Sequence, residues 1–288
     1  MSKPDFNKQF LTGQRMKRYI SVLFAIMFLG YTPGNAFISI SQLSGPNNYS
    51  AVLADVNVPV SGVTSIDGSY TSSSYAGSPA NNISYGLELE TRASRRVDLG
   101  AGYILSPASN ASMYNVWEIS GGYSFGRKNL IVRLGMYFQD TVYEEQLSNS
   151  SWHGLNQYVY NPSIRATIYR NIKIGLNTAL FSYSQDVNSL KGSVDSISLR
   201  NDRDLGSIVG VVSDFPSKTE TLSVAYRFIE PLEIYGEWSK IYYERSIDSG
   251  NLSAYGIRYF FTRYFAFSVN FVNYNSQAFN TLGFGLYW

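Results

Sequence analysis

"NTLGFGLYW" closes the chain at residues 280–288. Leu282, Phe284, Leu286 and Trp288 fall at every second place, with Gly283, Gly285 and Tyr287 between them. Alternation by two marks a strand with two unlike faces. Chain ends ordinarily fray and are polar. This one carries a strand pattern to its last residue, so it reads as one edge of a sheet that must meet another edge.

The same alternation runs through the rest of the chain from residue 37 on. In "YFAFSVNFVNYN", Phe265, Phe267, Val269 and Phe271 share one face, and Ala266, Ser268 and Asn270 the other. "NISYGLELETR" sets Ile83, Tyr85, Leu87 and Leu89 against Ser84, Gly86, Glu88 and Glu90. "KNLIVRLGMYF" sets Leu130, Val132, Leu134, Met136 and Phe138 against Arg133, Gly135 and Tyr137. Reading back from the end, strands are predicted at 279–288, 264–274, 252–261, 232–244, 218–229, 172–184, 157–169, 129–140, 115–125, 96–105, 82–92, 63–74 and 49–60. "FISISQL" at 37–43 supplies a fourteenth, placed to close the sheet against the last strand. Twelve strands is the alternative, with 63–74 moved into a loop, and 207–215 is read as a hairpin within a loop.

Soluble sandwiches also alternate, so the connections and the aromatics have to decide. Tight turns near 61–62, 94–95, 127–128, 170–171, 230–231 and 262–263 alternate with mostly longer loops near 75–81, 106–114, 141–156, 185–217 and 245–251. That rhythm belongs to an antiparallel up-and-down barrel crossing a membrane. Phe125, Tyr169, Phe228, Tyr259, Phe261 and Tyr264 stand beside the short turns. Tyr103, Tyr137, Tyr160, Tyr183, Tyr242, Tyr243 and Tyr274 stand toward the long loops. Two belts of amphipathic rings are what the two interfaces of a bilayer select.

Composition agrees. Charged residues make up 15% of the chain, against roughly 25% in an ordinary soluble domain. The net charge of +2 argues against nucleic acid as a partner. There is no Cys, hence no disulfide and no thiolate chemistry. A single His, His153, excludes a multi-histidine metal centre, and no cofactor fingerprint is present. Asp202 and Asp204 form a D-x-D pair that reads as solvated loop charge.

Residues 16–36, "MKRYISVLFAIMFLGYTPGNA", read as a secretory signal peptide: a basic start at Lys17 and Arg18, an apolar run, and a small-residue cleavage site ending at Ala36. The apolar run is too short to cross a bilayer as a helix. Residues 1–15 lie upstream as a disordered stretch, with Met16 an alternative start. Residues 37–288 form one transmembrane barrel.

The C-terminus resembles the ending common to outer-membrane β-barrels of Gram-negative bacteria: a polar residue, x, Gly, two arbitrary residues, then hydrophobic-x-aromatic. Here these are Thr281, Gly283, Leu286 and Trp288, with Trp where Phe is usual. The resemblance implies an integral outer-membrane protein with both termini in the periplasm. It also implies the barrel-assembly machinery as a partner during biogenesis, and outer-membrane lipid and lipopolysaccharide as surroundings.

If the apolar face meets lipid, the other face lines the lumen. The acids expected there are Asp55, Asp67, Glu88, Glu90, Asp98, Glu118, Glu233 and Glu237. The bases are Arg92, Arg133, Arg165, Lys173, Arg227 and Arg258. In strand order the acids crowd the first strands and the bases the middle ones, which predicts an acidic wall opposite a basic wall whose Arg133, Arg165, Lys173 and Arg227 lack obvious partners. A barrel this wide cannot be filled by wall side chains alone, and the charged 185–217 loop is the candidate constriction.

The sequence therefore predicts a porin-like passive channel for small polar or charged solutes. A non-conducting surface or structural barrel is the alternative. A lipid-modifying enzyme is a minor one: outer-membrane phospholipases and lipid A deacylases carry His-x-Ser on a strand, whereas His153 is followed two places on by Leu155.

Overall fold

The computed structural model describes residues 36–46, 48–74, 82–106, 113–127, 129–144, 155–189, 215–262 and 264–287. Residues 1–35, His153, Asp202, Asp204, the 190–214 part of the long loop and Trp288 lie outside this set.

Fourteen strands close into one antiparallel barrel. They are β1 (Phe37–Ser44), β2 (Ser50–Pro59), β3 (Thr64–Ser74), β4 (Asn82–Thr91), β5 (Val97–Ser106), β6 (Met113–Arg127) and β7 (Leu130–Glu144). Then follow β8 (Leu155–Ile168), β9 (Ile172–Tyr183), β10 (Pro216–Ile229), β11 (Leu232–Tyr243), β12 (Ser249–Phe260), β13 (Phe265–Tyr274) and β14 (Gln277–Tyr287). Every strand pairs with its neighbours in sequence, and β1 closes on β14 in a register running from Phe37↔Tyr287 to Ser44↔Asn280. The final segment thus has both its edges paired, with β13 on one side and β1 on the other. Closure removes the unpaired sheet edge that hydrocarbon cannot tolerate.

Two expectations need adjustment. Residues 64–74 form a full strand paired along both edges, so the twelve-strand alternative falls. Residues 141–144, read as loop, continue β7 and pair with β6 as far as Met113↔Glu144. That extension reads Thr-Val-Tyr-Glu, a β-branched and aromatic stretch.

One end of the barrel carries the tight connections, here the turn end; the other, with the long connections, is the loop end. Serines fasten two of the tight turns. Ser61 Oγ accepts the N–H of Thr64 at 3.1 Å, and Ser94 Oγ accepts that of Val97 at 3.1 Å. The loop end has a tight connection of its own: the Asn275-Ser276 turn between β13 and β14 has positive φ at both residues, 46° and 69°, as a two-residue hairpin turn of the I′ kind requires.

The outer face is apolar. Leu87, Trp117, Ile119, Leu134, Met136, Leu176, Ile257 and Phe284 stand exposed on it, Leu87 and Trp117 at 61%. Such exposure on a soluble protein would be an aggregation surface; around a closed barrel it is the band that meets lipid. Phe125, Tyr169, Phe228, Tyr259, Phe261 and Tyr264 are exposed at the turn end. At the loop end the outer belt contains Tyr103 and Tyr160, joined by Trp117, Phe138 and Trp238. Tyr137, Tyr183, Tyr243 and Tyr274, read as part of that belt, turn inward: Tyr137 reaches Glu118, Tyr183 reaches Gln157, and the Tyr243 and Tyr274 hydroxyls meet at 2.6 Å.

Candidate functional site: the inner face of the barrel

The inner face is the register partner of the apolar band, one residue out of phase. Asp55 pairs with Ser39, Asp67 with Glu88, Glu88 with Gly102, and Gly102 with Glu118. Arg133 pairs with Arg165, Lys173 with Ala225, and Glu233 with both Arg227 and Arg258. Each lies opposite in phase to the exposed apolar residues of its strand. Glu88, Glu118, Glu233 and Glu237 are buried. Arg92 follows the end of β4 and sits exposed in the turn, where its N–H bonds to the Val63 carbonyl at 2.7 Å.

Neighbouring groups hold these charges in place. Asn57 Nδ2 donates to Asp67 Oδ1 at 2.7 Å, and Ser39 Oγ donates to Asp55 Oδ2 at 3.4 Å. The Tyr137 hydroxyl donates to Glu118. Arg133 reaches Asp98 with two nitrogens, Nε to Oδ1 at 3.2 Å and Nη2 to Oδ2. Glu233 accepts from Arg258 Nη1 at 3.1 Å and from Arg227 Nη2 at 3.4 Å, so three adjacent strands carry a plus-minus-plus row. Aromatic faces back both cations: Arg227 lies 5.1 Å from the Phe260 ring centre and Arg258 5.6 Å from that of Tyr235. The Tyr235 hydroxyl in turn donates to Asn270.

These contacts correct the picture of two opposed, unpartnered walls. Arg133 and Arg227 both have carboxylate partners, because Asp98 on β5 is reached across β6 and Glu233 on β11 stands directly beside β10. Strand order had shown which strands carry charge. It hid that side chains long enough to cross a strand join acid to base at the borders.

The segregation that does exist runs along the barrel axis. Toward the loop end the inner positions become apolar. Tyr143, Leu155, Val159, Ala179 and Phe181 form one buried cluster, which Val187 and Phe215 enter from the two ends of the long β9–β10 connection. Arg245 secures them, donating Nε to the Val187 carbonyl at 2.6 Å with its guanidinium 4.3 Å from the Phe215 ring centre. Ile241, Leu252, Ala254, Val272 and Tyr274 form a second cluster, and Leu43, Ala51 and Leu53 a third, joined by Phe279. Among the described strand residues, every acid and base on the inner face lies at mid-barrel or nearer the turn end.

This apolar tier is a matter of depth along the barrel, which the charge of a whole strand does not reveal. The signal was present. In "LNQYVYNPSIR" the inner positions run Leu155, Gln157, Val159, Asn161, Ser163, Arg165, from apolar to charged along one strand.

Of the C-terminal residues, Thr281 and Gly283 face inward with Asn270 and Ser268, and Leu286 faces outward with Phe265. A Cβ at Gly283 would stand 2.5 Å from Ser268 Oγ and 2.8 Å from Ser41 Oγ, so the closing seam is tight on its inner side.

Comparison with solved structures finds porins and channels at low identity. A KdgM porin is matched at 11% identity and a TM-score of 0.44, over 87% of this chain and 98% of that one. The Pseudomonas aeruginosa protein OccK5 (OpdH) is matched at 9% identity and a TM-score of 0.46, over 88% and 97%. A CymD monoaromatic hydrocarbon channel is matched at 8% identity and a TM-score of 0.46, over 88% and 87%. No protein-family model and no curated protein matches the chain. The assignment to a closed fourteen-strand barrel stands on the strand pairing itself.

Proposed function

We propose that the protein is a porin-like passive channel of the outer membrane for small polar or charged solutes. One observation carries the reading: a closed wall with a continuous apolar outer band encloses an inner face that is charged from mid-barrel to the turn end. A fourteen-strand barrel is wider than the eight-strand size that side chains fill, and a charged inner surface needs water or solute beside it. Fields from fixed charges in such a space select among solutes.

In this reading the turn end and both termini face the periplasm, and residues 16–36 direct export. Thr281, Gly283, Leu286 and Trp288 present the assembly signal to the barrel-assembly machinery. Lipopolysaccharide and lipid surround the apolar band. No catalytic role is assigned. The lumen acids and bases act as a field, with Arg133, Arg165 and Lys173 as its positive sector. Replacing Arg133 and Arg165 by Glu is expected to reverse the ion preference of the pore. Unchanged preference would count against that assignment.

A second reading has its own support. The apolar tier at the loop end is tightly packed: Leu155, Ile241 and Phe215 have no exposed surface. A barrel closed at that level would be a structural or surface protein that passes no current.

A further inference from the structure

The wall between β3 and β9 is hollowed on its inner side. A cavity of 840 Å³ lies there, bordered by Glu88, Glu118, Arg133, Arg165, Asn161 and Asn177. This is the size of a small-molecule site, which typically measures about 300–1,000 Å³.

Its relief comes from residues without side chains. Gly100 and Gly102 on β5 let carboxylates lean over that strand from both sides: a Cβ at Gly100 would stand 3.1 Å from Glu88 Oε1, and one at Gly102 2.7 Å from Glu118 Oε1. Gly122 does the same on β6 for the Arg133 guanidinium, and Gly135 lowers the wall on β7. Two buried carboxylates are therefore gathered over β5, while Arg133 and Arg165 stand directly opposite each other on β7 and β8.

Like charges placed directly opposite destabilise a sheet. Here Glu88 and Glu118 form one pair and Arg133, held on one side by Asp98, forms another with Arg165, and both pairs border one cavity. On β8 and β9, Asn161 Oδ1 and Asn177 Oδ1 are buried and make no hydrogen bond, and both residues border the same space. Each is an acceptor in want of an N–H donor. The carboxylates lean over Gly100 and Gly102, whereas the Arg133 guanidinium lies over Gly122, which pairs with Asp98. The two poles are therefore about one strand apart and about two to four residues apart along the strands, roughly 8–14 Å at about 4.8 Å per strand and about 3.3 Å per residue. That matches a peptide of about three or four residues at roughly 3.5 Å each.

We propose that this cavity binds short zwitterionic peptides. The ammonium group sits between Glu88 and Glu118, the carboxylate meets Arg133 and Arg165, and backbone N–H groups satisfy Asn161 and Asn177. The proposal takes the channel reading only for its route of entry. It would make the barrel selective where a general pore is not.

Triglycine is the probe, titrated into the folded barrel in detergent and followed by isothermal calorimetry. Acetyl-triglycine amide, uncharged at both ends, and succinate serve as comparisons. Saturable triglycine binding is expected. Capping both ends, the E88Q/E118Q pair, or R165Q should each weaken it by about tenfold or more, at least about 1.4 kcal/mol. E220Q, on the outer face of β10, should leave it unchanged. Heat-modifiable migration on gels reports that each variant is folded. Equal binding of triglycine and its capped form, or no saturable binding, overturns the proposal. The two readings fail separately: binding without ion current keeps the site and removes the channel, and current without binding does the reverse.

Discussion

The Arg133 guanidinium crosses β6 above Gly122 to grip the Asp98 carboxylate on β5. The glycine makes the crossing possible, since a methyl group there would overlap the guanidinium. Both side chains keep about a third of their surface exposed, 31% and 40%, so the pair contributes little to stability, on the order of 1 kcal/mol or less. Its effect is on the field in the lumen. G122A is expected to detach Arg133 from Asp98, and D98N to leave its charge uncompensated. D98N should shift the reversal potential toward anion preference in a salt gradient. A shift toward cations would contradict the pairing.

Glu233 presents the opposite balance. It is 5% exposed and lies between Arg227 and Arg258. Removing one partner of a buried ionic cluster leaves the others uncompensated. Because Arg227 is 44% and Arg258 20% exposed, water relieves part of this, and E233Q is expected to cost about 1–2 kcal/mol in urea unfolding from lipid vesicles. A change below about 0.5 kcal/mol, the size of an ordinary surface substitution, would show that the row is solvated.

The assignment of faces can be tested on neighbouring strands. Leu134 lies on the outer band and Ser163 on the inner face. L134R should cost about 2–4 kcal/mol near the membrane midplane. S163R, pointing into the lumen, should cost much less and change conductance instead. If the two costs were equal, or reversed, the faces would be misassigned.

At the β13–β14 turn, Ser276 holds a φ of 69°. A non-glycine residue pays about 1–2 kcal/mol in that region, and glycine is the preferred second residue of such a turn. S276G is therefore expected to stabilise the barrel by about 1 kcal/mol in the same unfolding assay. Destabilisation would mean that the Ser276 side chain has a role beyond the turn.

Much of the fold was legible because a membrane barrel obeys a strict rule. Each strand must alternate and the sheet must close, so the alternation alone pairs the segment from Phe37 with the far end of the chain. Strand ends were less legible. Thr141–Glu144 reads equally as strand or loop, and only its partners on β6 settle it. Faces were legible for charged residues, which hydrocarbon excludes. They are ambiguous for tyrosine, which suits both an interface and a packed interior: Tyr183, Tyr243 and Tyr274 lie at the depth of the loop-end belt but face inward. Ion pairing was least legible, since the Arg133–Asp98 contact depends on an arginine spanning a strand over a glycine.

The central claim is that the wall encloses a conducting pathway. Single-channel recording of the purified, refolded barrel in a planar lipid bilayer tests it most directly. The account predicts discrete current steps, with an ion preference that reverses when Arg133 and Arg165 are both replaced by Glu. A fully folded barrel that inserts into the bilayer and shows no discrete current at any voltage would contradict it.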